Sequence, residues 1–167
     1  TPFYGESGGQ VGDRGQLIGP KGTFEVYDTQ LYLGRYLHSG KQVSGQIRQH
    51  DAVMAEVESD VRRKTCANHS ATHLLHAALR SVLGDHIEQK GSHVDSTRLR
   101  FDFSHNRTLL SAEIREVEQI INSEIRANHK IETKLTTFDN AIKGGATALF
   151  DEKYGEEVRV LSMGCFS

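Results

Sequence analysis

Apolar residues recur at three- and four-residue spacing between Asn68 and Gly84, which predicts a single amphipathic helix. Gly84 directly follows the last apolar turn and predicts the helix end, because glycine readily adopts the left-handed conformation of a helix C-terminus. At about 100° per residue, His69, His73 and His76 fall on the side opposite the apolar stripe. The stripe consists of Ala71, Leu74, Leu75, Ala78, Leu79 and Val82.

Short alternating segments precede this helix and predict strands rather than further helices. Turns that contain glycine or aspartate separate these segments, and Gly40 and Gly45 are expected to lie in the loops. The pattern indicates a small antiparallel, barrel-like unit that covers residues 1 to 60. Its predicted strands are Thr23–Tyr27, Arg35–His38 and Ala52–Val57.

The chain after residue 60 has the pattern of an α+β core. Leu99, Phe101 and Phe103 alternate with polar residues, which is typical of a half-buried strand. We expect residues 61–167 to form an α/β sandwich-like core, with two helices packed on a sheet and the histidine-bearing helix at the centre. The other predicted elements are a helix from an N-capping Ser111 to about Asn128, a strand over 131–137, a short helix over 138–143 ended by Gly144 and Gly145, and a strand over 158–163.

The composition is that of a globular protein with no strong charge. The 167 residues are 37% hydrophobic and 25% charged, and the formal net charge is -2. Such a balance does not indicate an autonomous nucleic-acid binder, so any nucleic-acid partner would need a second module for most of its affinity. Cys66 and Cys165 are too far apart in sequence to indicate a disulfide framework or a cysteine-rich metal site. The sequence contains neither a signal peptide nor a membrane-spanning run, which favours a cytoplasmic protein.

The N-terminal segment is rich in glycine, with seven glycines in the first 22 residues. This composition excludes a helix interior and predicts a loop with tight turns. Gly8 and Gly9 would let the backbone approach a ligand closely, and Gln10 offers an amide for recognition. These three residues are candidate substrate-binding residues, although turn geometry by itself explains most of the glycines. The segment matches neither a phosphate-binding loop nor a dinucleotide fingerprint.

The histidines of the predicted helix raise the question of a metal site. His69 and His73 lie one turn apart, a rise of about 6 Å, so both imidazoles can bind one ion. Zinc needs about four ligands, however, and a solvated polar face explains the same spacing equally well. His76 lies about 10 Å along the axis from His69, too far to share that ion, and an ordinary hydrogen-bonded or surface role is expected.

A basic cluster, Arg62-Arg63-Lys64, precedes the histidines. It can contact a phosphate group, but adjacent cations at the start of a helix more often form a solvated face. The sequence leaves both interpretations open.

Several longer motifs occur in a fixed order along the chain. Together they resemble the editing domains of alanyl-tRNA synthetases over essentially the whole sequence, and they are far more specific than a histidine pair. The matching stretches are Thr1–Gln10, Asn68–His76, Gln89–Ser92, Leu99–His105, Ala148–Phe150, Glu152–Tyr154 and Val160–Gly164.

The resemblance implies hydrolysis of tRNA that carries the wrong amino acid. An alanine pocket admits glycine and rejects serine poorly, so a second site must cleave seryl- or glycyl-tRNA(Ala). The family's zinc ligands include a pair that matches His69 and His73, and its editing-pocket threonine and glutamine match Thr72 and Gln89, the candidate catalytic residues. The implied partners are the acceptor end of tRNA(Ala) and other domains of the same synthetase, with no membrane. ATP and Mg²⁺ would be cofactors of another domain of the parent enzyme.

One feature departs from the family pattern. The family completes its zinc site with a C-x-x-x-H pair in the sequence Cys-Gly-Gly-Thr-His, and no such segment follows Gly164. Two histidines alone should bind zinc weakly, so we expect this chain to be zinc-poor and weakly active or inactive. The start at Thr1 without methionine suggests a piece of a longer synthetase. A free-standing trans-editing deacylase of the same family and a non-catalytic tRNA-positioning module are the alternatives.

Overall fold

The computed structural model describes residues 1–144, 157–164 and 166, and its architecture is mixed α and β. The chain divides into two compact units: Thr1–His69 with Ser92–Arg100, and Ser70–Gly91 with Phe101–Ser167. The predicted domain boundary after residue 60 stays a prediction, and the compact units divide at other positions. In chain order the elements are β1 (Gly15–Gly19), β2 (Gly22–Tyr32), β3 (Arg35–Gly45), β4 (Met54–Val57), α1 (Ser59–Leu83), β5 (Gln89–Val94), β6 (Leu99–Phe103), α2 (Ser111–Ala127), β7 (Ile131–Thr137), α3 (Phe138–Lys143) and β8 (Glu157–Met163).

The first unit contains a four-stranded antiparallel sheet with the strand order β3-β2-β1-β4. The long hairpin of β2 and β3 turns at Leu33 and Gly34, whose φ angles are 49° and 74°. Two successive left-handed residues are typical of a type I′ turn, whose twist matches that of the flanking strands. The sequence did not predict β1. Glycines occupy both ends of this five-residue strand, so three residues remain, too few to show a strand pattern.

This sheet is open, so the predicted barrel-like closure is wrong. Within residues 1–60, all of which are described, β3 pairs with β2 alone and β4 pairs with β1 alone. A closed barrel would require hydrogen bonds between the two edge strands. Instead β3 ends at Gly45, whose φ is 56°, and the next residue is bonded elsewhere, since Gln46 N donates to Lys21 O at 2.9 Å.

A buried carboxylate anchors the N-terminal loop of the first unit. Asp13 accepts hydrogen bonds from Tyr4 N at 2.6 Å and from Arg62 Nε at 2.7 Å, and a second Arg62 nitrogen also bonds the carboxylate. Arg62 further donates to Pro2 O at 2.9 Å. Arg62 is therefore a structural residue of the loop, and neither of the interpretations of the basic cluster applies to it. Arg63 forms a separate pair with Asp60 at the surface.

Helix α1 begins at Ser59 rather than at the predicted Asn68. Its first turns are mostly polar, and Thr65 is buried there with its hydroxyl donating to Val61 O at 2.9 Å, a contact that apolar periodicity does not reveal. The predicted end is confirmed, because Gly84 has a φ of 110° and its N donates to Arg80 O at 2.9 Å. None of the helices in the described part of the chain has the length and apolar content that crossing a membrane requires.

The core of the second unit lies around the C-terminal half of α1. Ala78 and Leu79 are buried as predicted, together with Ile87 and Val117. His76 is buried as well, so the surface role considered for it is wrong. Its ring lies 5.2 Å from the Phe101 ring and is hydrogen-bonded to the backbone of Ile87, while Nε2 has no hydrogen-bond partner among the described residues. The apolar side chains packed around the core are Leu75, Val82, Leu83, Phe101, Phe103, Ile120, Ile121 and Phe166.

The remaining predicted helices and strands are present, but the pairing of the strands and the start of α2 differ from the prediction. The predicted single sheet is replaced by two two-stranded sheets, β5-β6 and β7-β8, and β5 was not predicted because its residues are polar. The predicted N-cap of α2 is wrong: Leu110 is the N-cap, and its backbone N donates to Glu113 Oε2 at 2.8 Å. Gly145, Cys165 and the matching stretches Ala148–Phe150 and Glu152–Tyr154 lie outside the described residues.

Replacing Arg62 should destabilise the first unit far more than replacing its neighbour. The side chains of Arg62 and Asp13 are 34% and 7% exposed, whereas those of Arg63 and Asp60 are 78% and 77% exposed. Arg62→Ala would leave a buried carboxylate without its cation and should lower the free energy of unfolding by about 2–3 kcal/mol. The matched control Arg63→Ala should cost less than about 1 kcal/mol. Urea unfolding of both variants checks this, and equal losses would contradict a structural role for Arg62.

Stability should fall as the pH falls below the ordinary imidazole pKa of 6.5, because of His76. Burial lowers the pKa of His76, so the folded state favours the neutral ring, and in acid the unfolded chain binds more protons than the folded chain. The variant His76→Leu should therefore lose less stability than the wild type between about pH 7.5 and about pH 5.5 in urea unfolding. The exposed control His129→Gln should keep the wild-type pH dependence. If the stability of His76→Leu changed with pH as steeply as that of the wild type, another group would be responsible for the pH dependence.

Candidate functional site

Gly8 and Gly9 form the tip of a tight turn in the N-terminal loop. Their φ angles are 57° and 78°, and Gln10 N donates to Ser7 O at 2.9 Å while Ser7 N donates to Gln10 O at 3.2 Å. Left-handed angles at both central positions define a type I′ turn, in which glycine is preferred. The conformation of the turn thus explains why glycines occupy both positions. A contact between these glycines and a substrate stays a prediction.

Backbone hydrogen bonds join this turn to the end of β5 within the first unit. Val94 N donates to Gly9 O at 2.8 Å, and Val11 N donates to Val94 O at 3.1 Å. A Cβ at Gly9 would lie 2.8 Å from the Ser92 carbonyl oxygen and would also overlap the Ser92 side chain. The turn therefore depends on glycine for its conformation and for its close approach to β5.

The structure brings the side chain of Gln10 to His69. Gln10 is only 5% exposed, and its Oε1 lies 2.6 Å from His69 Nδ1. Because an amide oxygen can only accept, the histidine nitrogen must donate. In a neutral ring the other nitrogen, Nε2, then carries the lone pair that can bind a metal.

His69 and His73 are both half-buried and lie four residues apart on α1, as predicted. The hydrogen bond to Nδ1 of His69 fits a metal-binding histidine, since such ligands usually donate their other ring N–H to a protein acceptor. The described residues nevertheless contain no group of three or more His, Cys, Asp or Glu side chains placed to bind a metal. The histidine pair therefore fits part of a zinc site, and a closed site needs further ligands.

The two candidate catalytic residues belong to the second unit. Thr72 lies on α1 and is buried, and Gln89 is the first residue of β5 and is half-buried. Burial of a hydroxyl and an amide is consistent with residues that recognise a polar ligand group, but it is equally consistent with internal hydrogen bonds. Their catalytic role stays a prediction.

The residue before His69 is fixed by a contact that the sequence did not predict. Asn68 Nδ2 donates to Asp95 O at 2.8 Å. Asp95 Oδ1 accepts from the Thr97 hydroxyl at 2.6 Å, from Thr97 N at 2.7 Å and from Arg98 N at 2.9 Å, and these hydrogen bonds hold the pKa of Asp95 well below its ordinary value. The available signal was Asp95 at the start of a polar four-residue run between two strands, which is typical of an Asx turn.

Adding a methyl group at Gly9 should be more damaging than adding one at Gly34. Both glycines are left-handed, with φ angles of 78° and 74°, but a Cβ at Gly34 meets no atom within 4 Å. Gly34→Ala should cost only the left-handed strain of about 1–2 kcal/mol. Gly9→Ala should cost at least about 1 kcal/mol more, because Ser92 must also move. Urea unfolding of the two variants measures the difference, and equal losses would mean that the turn does not depend on its approach to β5.

Comparisons with known proteins agree with the motif order along the chain. A family model of class II (A) tRNA synthetases matches residues 1–61. An alanine–tRNA ligase from Nitrosomonas europaea is 56% identical over 168 residues, and the match covers 100% of this chain and 20% of that enzyme. The ligase from Nitrosomonas eutropha is 55% identical with the same coverage. The ligase from Saccharophagus degradans is 53% identical, with 98% of this chain and 19% of that enzyme covered.

The chain thus spans about a fifth of the length of the relatives it matches. The matched region covers all or nearly all of the chain rather than a short motif. We conclude that this chain, as a portion of about a fifth of the length of such enzymes, belongs to the alanyl-tRNA synthetase family.

Proposed function

We propose that this chain is the editing portion of an alanyl-tRNA synthetase. It hydrolyses the ester that joins serine or glycine to tRNA(Ala), while other domains of the parent enzyme use ATP and Mg²⁺ to join alanine to the same tRNA. The relatives described above are all alanine–tRNA ligases, which supports this function over that of a free-standing deacylase.

The single observation that carries the proposal is the contact between Gln10 and His69. A solvated polar helix face would not need a buried amide 2.6 Å from one of its imidazoles. The contact selects one ring nitrogen of His69 as the donor, and helix geometry places His73 one turn further along α1. This arrangement is expected of a metal ligand pair and is not required for folding of an amphipathic helix.

Zinc is the metal that this donor set fits in part. His69 and His73 would hold it as neutral ligands, with about two more ligands supplied from outside the described residues. When bound, zinc supplies Lewis-acid character toward a carbonyl, a water molecule or the α-amino group of the substrate. The chain's own residues must then position the ester relative to the attacking water.

Thr72 and Gln89 are the residues proposed for that positioning. A hydroxyl both donates and accepts hydrogen bonds, and an amide offers one acceptor and two donors. Such groups can hold a serine hydroxyl or the ester. In the reaction, the oxygen of water forms a bond to the acyl carbon and the ester C–O bond breaks. The ribose oxygen of the terminal nucleotide takes up a proton, so the products are the free amino acid and uncharged tRNA.

The charge of the chain bears on how tRNA would be bound. A net charge of -2 does not favour extensive binding to a phosphate backbone. We therefore propose that the other domains of the synthetase supply most of the affinity for tRNA(Ala), and that this portion binds mainly the charged acceptor end.

Replacing His73 in the intact synthetase should remove editing without removing aminoacylation. His73→Ala deletes one of two ligands on α1, and hydrolysis of seryl-tRNA(Ala) should slow by about 100-fold or more, since metal-assisted stabilisation is worth several kcal/mol. Charging of tRNA(Ala) with alanine should stay at the wild-type rate. The measurements are deacylation of preformed seryl-tRNA(Ala) and aminoacylation with alanine.

The exposed His129 provides a matched control, because it lies beyond the end of α2. His129→Ala should leave both rates unchanged. Unchanged deacylation in the His73→Ala enzyme would remove His73 from the site and would defeat the proposal.

A further inference from the structure

We propose that Gln10 is a positioning residue for His69: its amide oxygen holds the imidazole in the tautomer that carries the proton on Nδ1 and presents Nε2 as the ligand nitrogen. The inference rests on the proposed function only in naming zinc as the metal that Nε2 would bind. It differs from the substrate-binding role that the sequence suggested for Gln10.

The backbone fixes the position of Gln10. The type I′ turn at Gly8 and Gly9 places Gln10 opposite Ser7, and the hydrogen bonds of Gly9 and Val11 to Val94 fix the chain on both sides. Gln10 also forms a bridge with Val94. Because the backbone is held on both sides of Gln10, only the side chain has to be ordered when it makes one directed hydrogen bond.

The amide of Gln10 is buried. Gln10 is 5% exposed, and its Oε1 lies 2.6 Å from His69 Nδ1, within the range of a good hydrogen bond. A buried amide oxygen that lost its donor would carry a desolvation cost of about 1–3 kcal/mol. That cost favours the tautomer with a proton on Nδ1 over the tautomer with a proton on Nε2.

The acceptor beside His69 is a neutral amide rather than a carboxylate. A glutamate in this position would also accept a hydrogen bond from Nδ1–H, but it would add a negative charge next to the ring. An amide fixes the orientation and tautomer of the ring with little change in local charge. Gln10 thus acts through His69 and need not contact the substrate, which agrees with its low exposure.

The tautomer of His69 tests the proposal directly in the chain itself. Nitrogen-15 spectra of the imidazoles, recorded where the rings are neutral, should show His69 of the wild type with the proton on Nδ1. Gln10→Met removes the acceptor at nearly constant volume and should give a mixture or the opposite tautomer. Gln10→Glu restores an acceptor oxygen and should restore the Nδ1 proton. Gln16→Met, at an exposed position of β1, should match the wild type.

Two results would overturn the proposal. One is a wild-type His69 with its proton on Nε2. The other is a Gln10→Met spectrum identical to that of the wild type. Should Gln10→Met fail to fold, the wild-type spectrum and the Gln10→Glu variant still decide the question, since each must show the proton on Nδ1.

Zinc affinity of the intact synthetase, measured by competition with a chelator, separates this inference from the proposed function. Loss of an outer hydrogen bond to a metal-binding histidine typically weakens binding about 10- to 100-fold, which we expect for Gln10→Met and not for Gln16→Met. Unchanged zinc affinity in Gln10→Met would contradict the positioning role. An intact synthetase that binds no zinc, although His69 has the expected tautomer, would count against the zinc site of the proposed function and would leave the assignment of Gln10 to His69 supported.

Discussion

Helix α1 is the element on which most other features depend. Its regular repeat of about 3.6 residues per turn sets the direction of side chains that have different roles along its length. Its first turns carry Arg62, which anchors the N-terminal loop through Asp13. Its middle carries His69 and His73, and its last turns carry the buried Ala78 and Leu79. Helix α1 thus contributes to the loop contacts of the first unit and, separately, to the core of the second unit.

The N-terminal loop is ordered by polar contacts because it has few apolar side chains to bury. Phe3 is one of its few buried hydrophobic residues, and the carboxylate of Asp13 satisfies backbone and guanidinium donors at the same time. The Asp13 carbonyl also accepts from the Thr29 hydroxyl at 2.9 Å, which joins the loop to β2. With this support the turn at Gly8 and Gly9 has a defined position, and Gln10 can make a directed contact with His69.

Three polar groups show how the surroundings of a side chain determine its charge, namely the half-buried Asp95 and the buried His76 and Gln10. Asp95 stays ionised because hydroxyl and backbone donors surround its carboxylate. The pKa of His76 is lowered because the ring is buried, so the neutral form that packs against Phe101 is favoured. Gln10 is neutral, and its cost of burial is met by one hydrogen bond to a histidine. The difference between His76 and His69 thus comes from their surroundings and not from their residue type.

The sequence by itself determined the features that depend on local patterns. Apolar spacing predicted α1 and its end at Gly84, and strict alternation predicted β6 at Leu99, Phe101 and Phe103. The motif order predicted the family, and the relatives confirm it. The tertiary structure alone decided that the first sheet is open, that His76 is buried and that Gln10 contacts His69 across 59 positions of the chain. The physical reason is that periodicity reports which face of an element is apolar, whereas strand-edge pairing and buried polar contacts depend on residues distant in sequence.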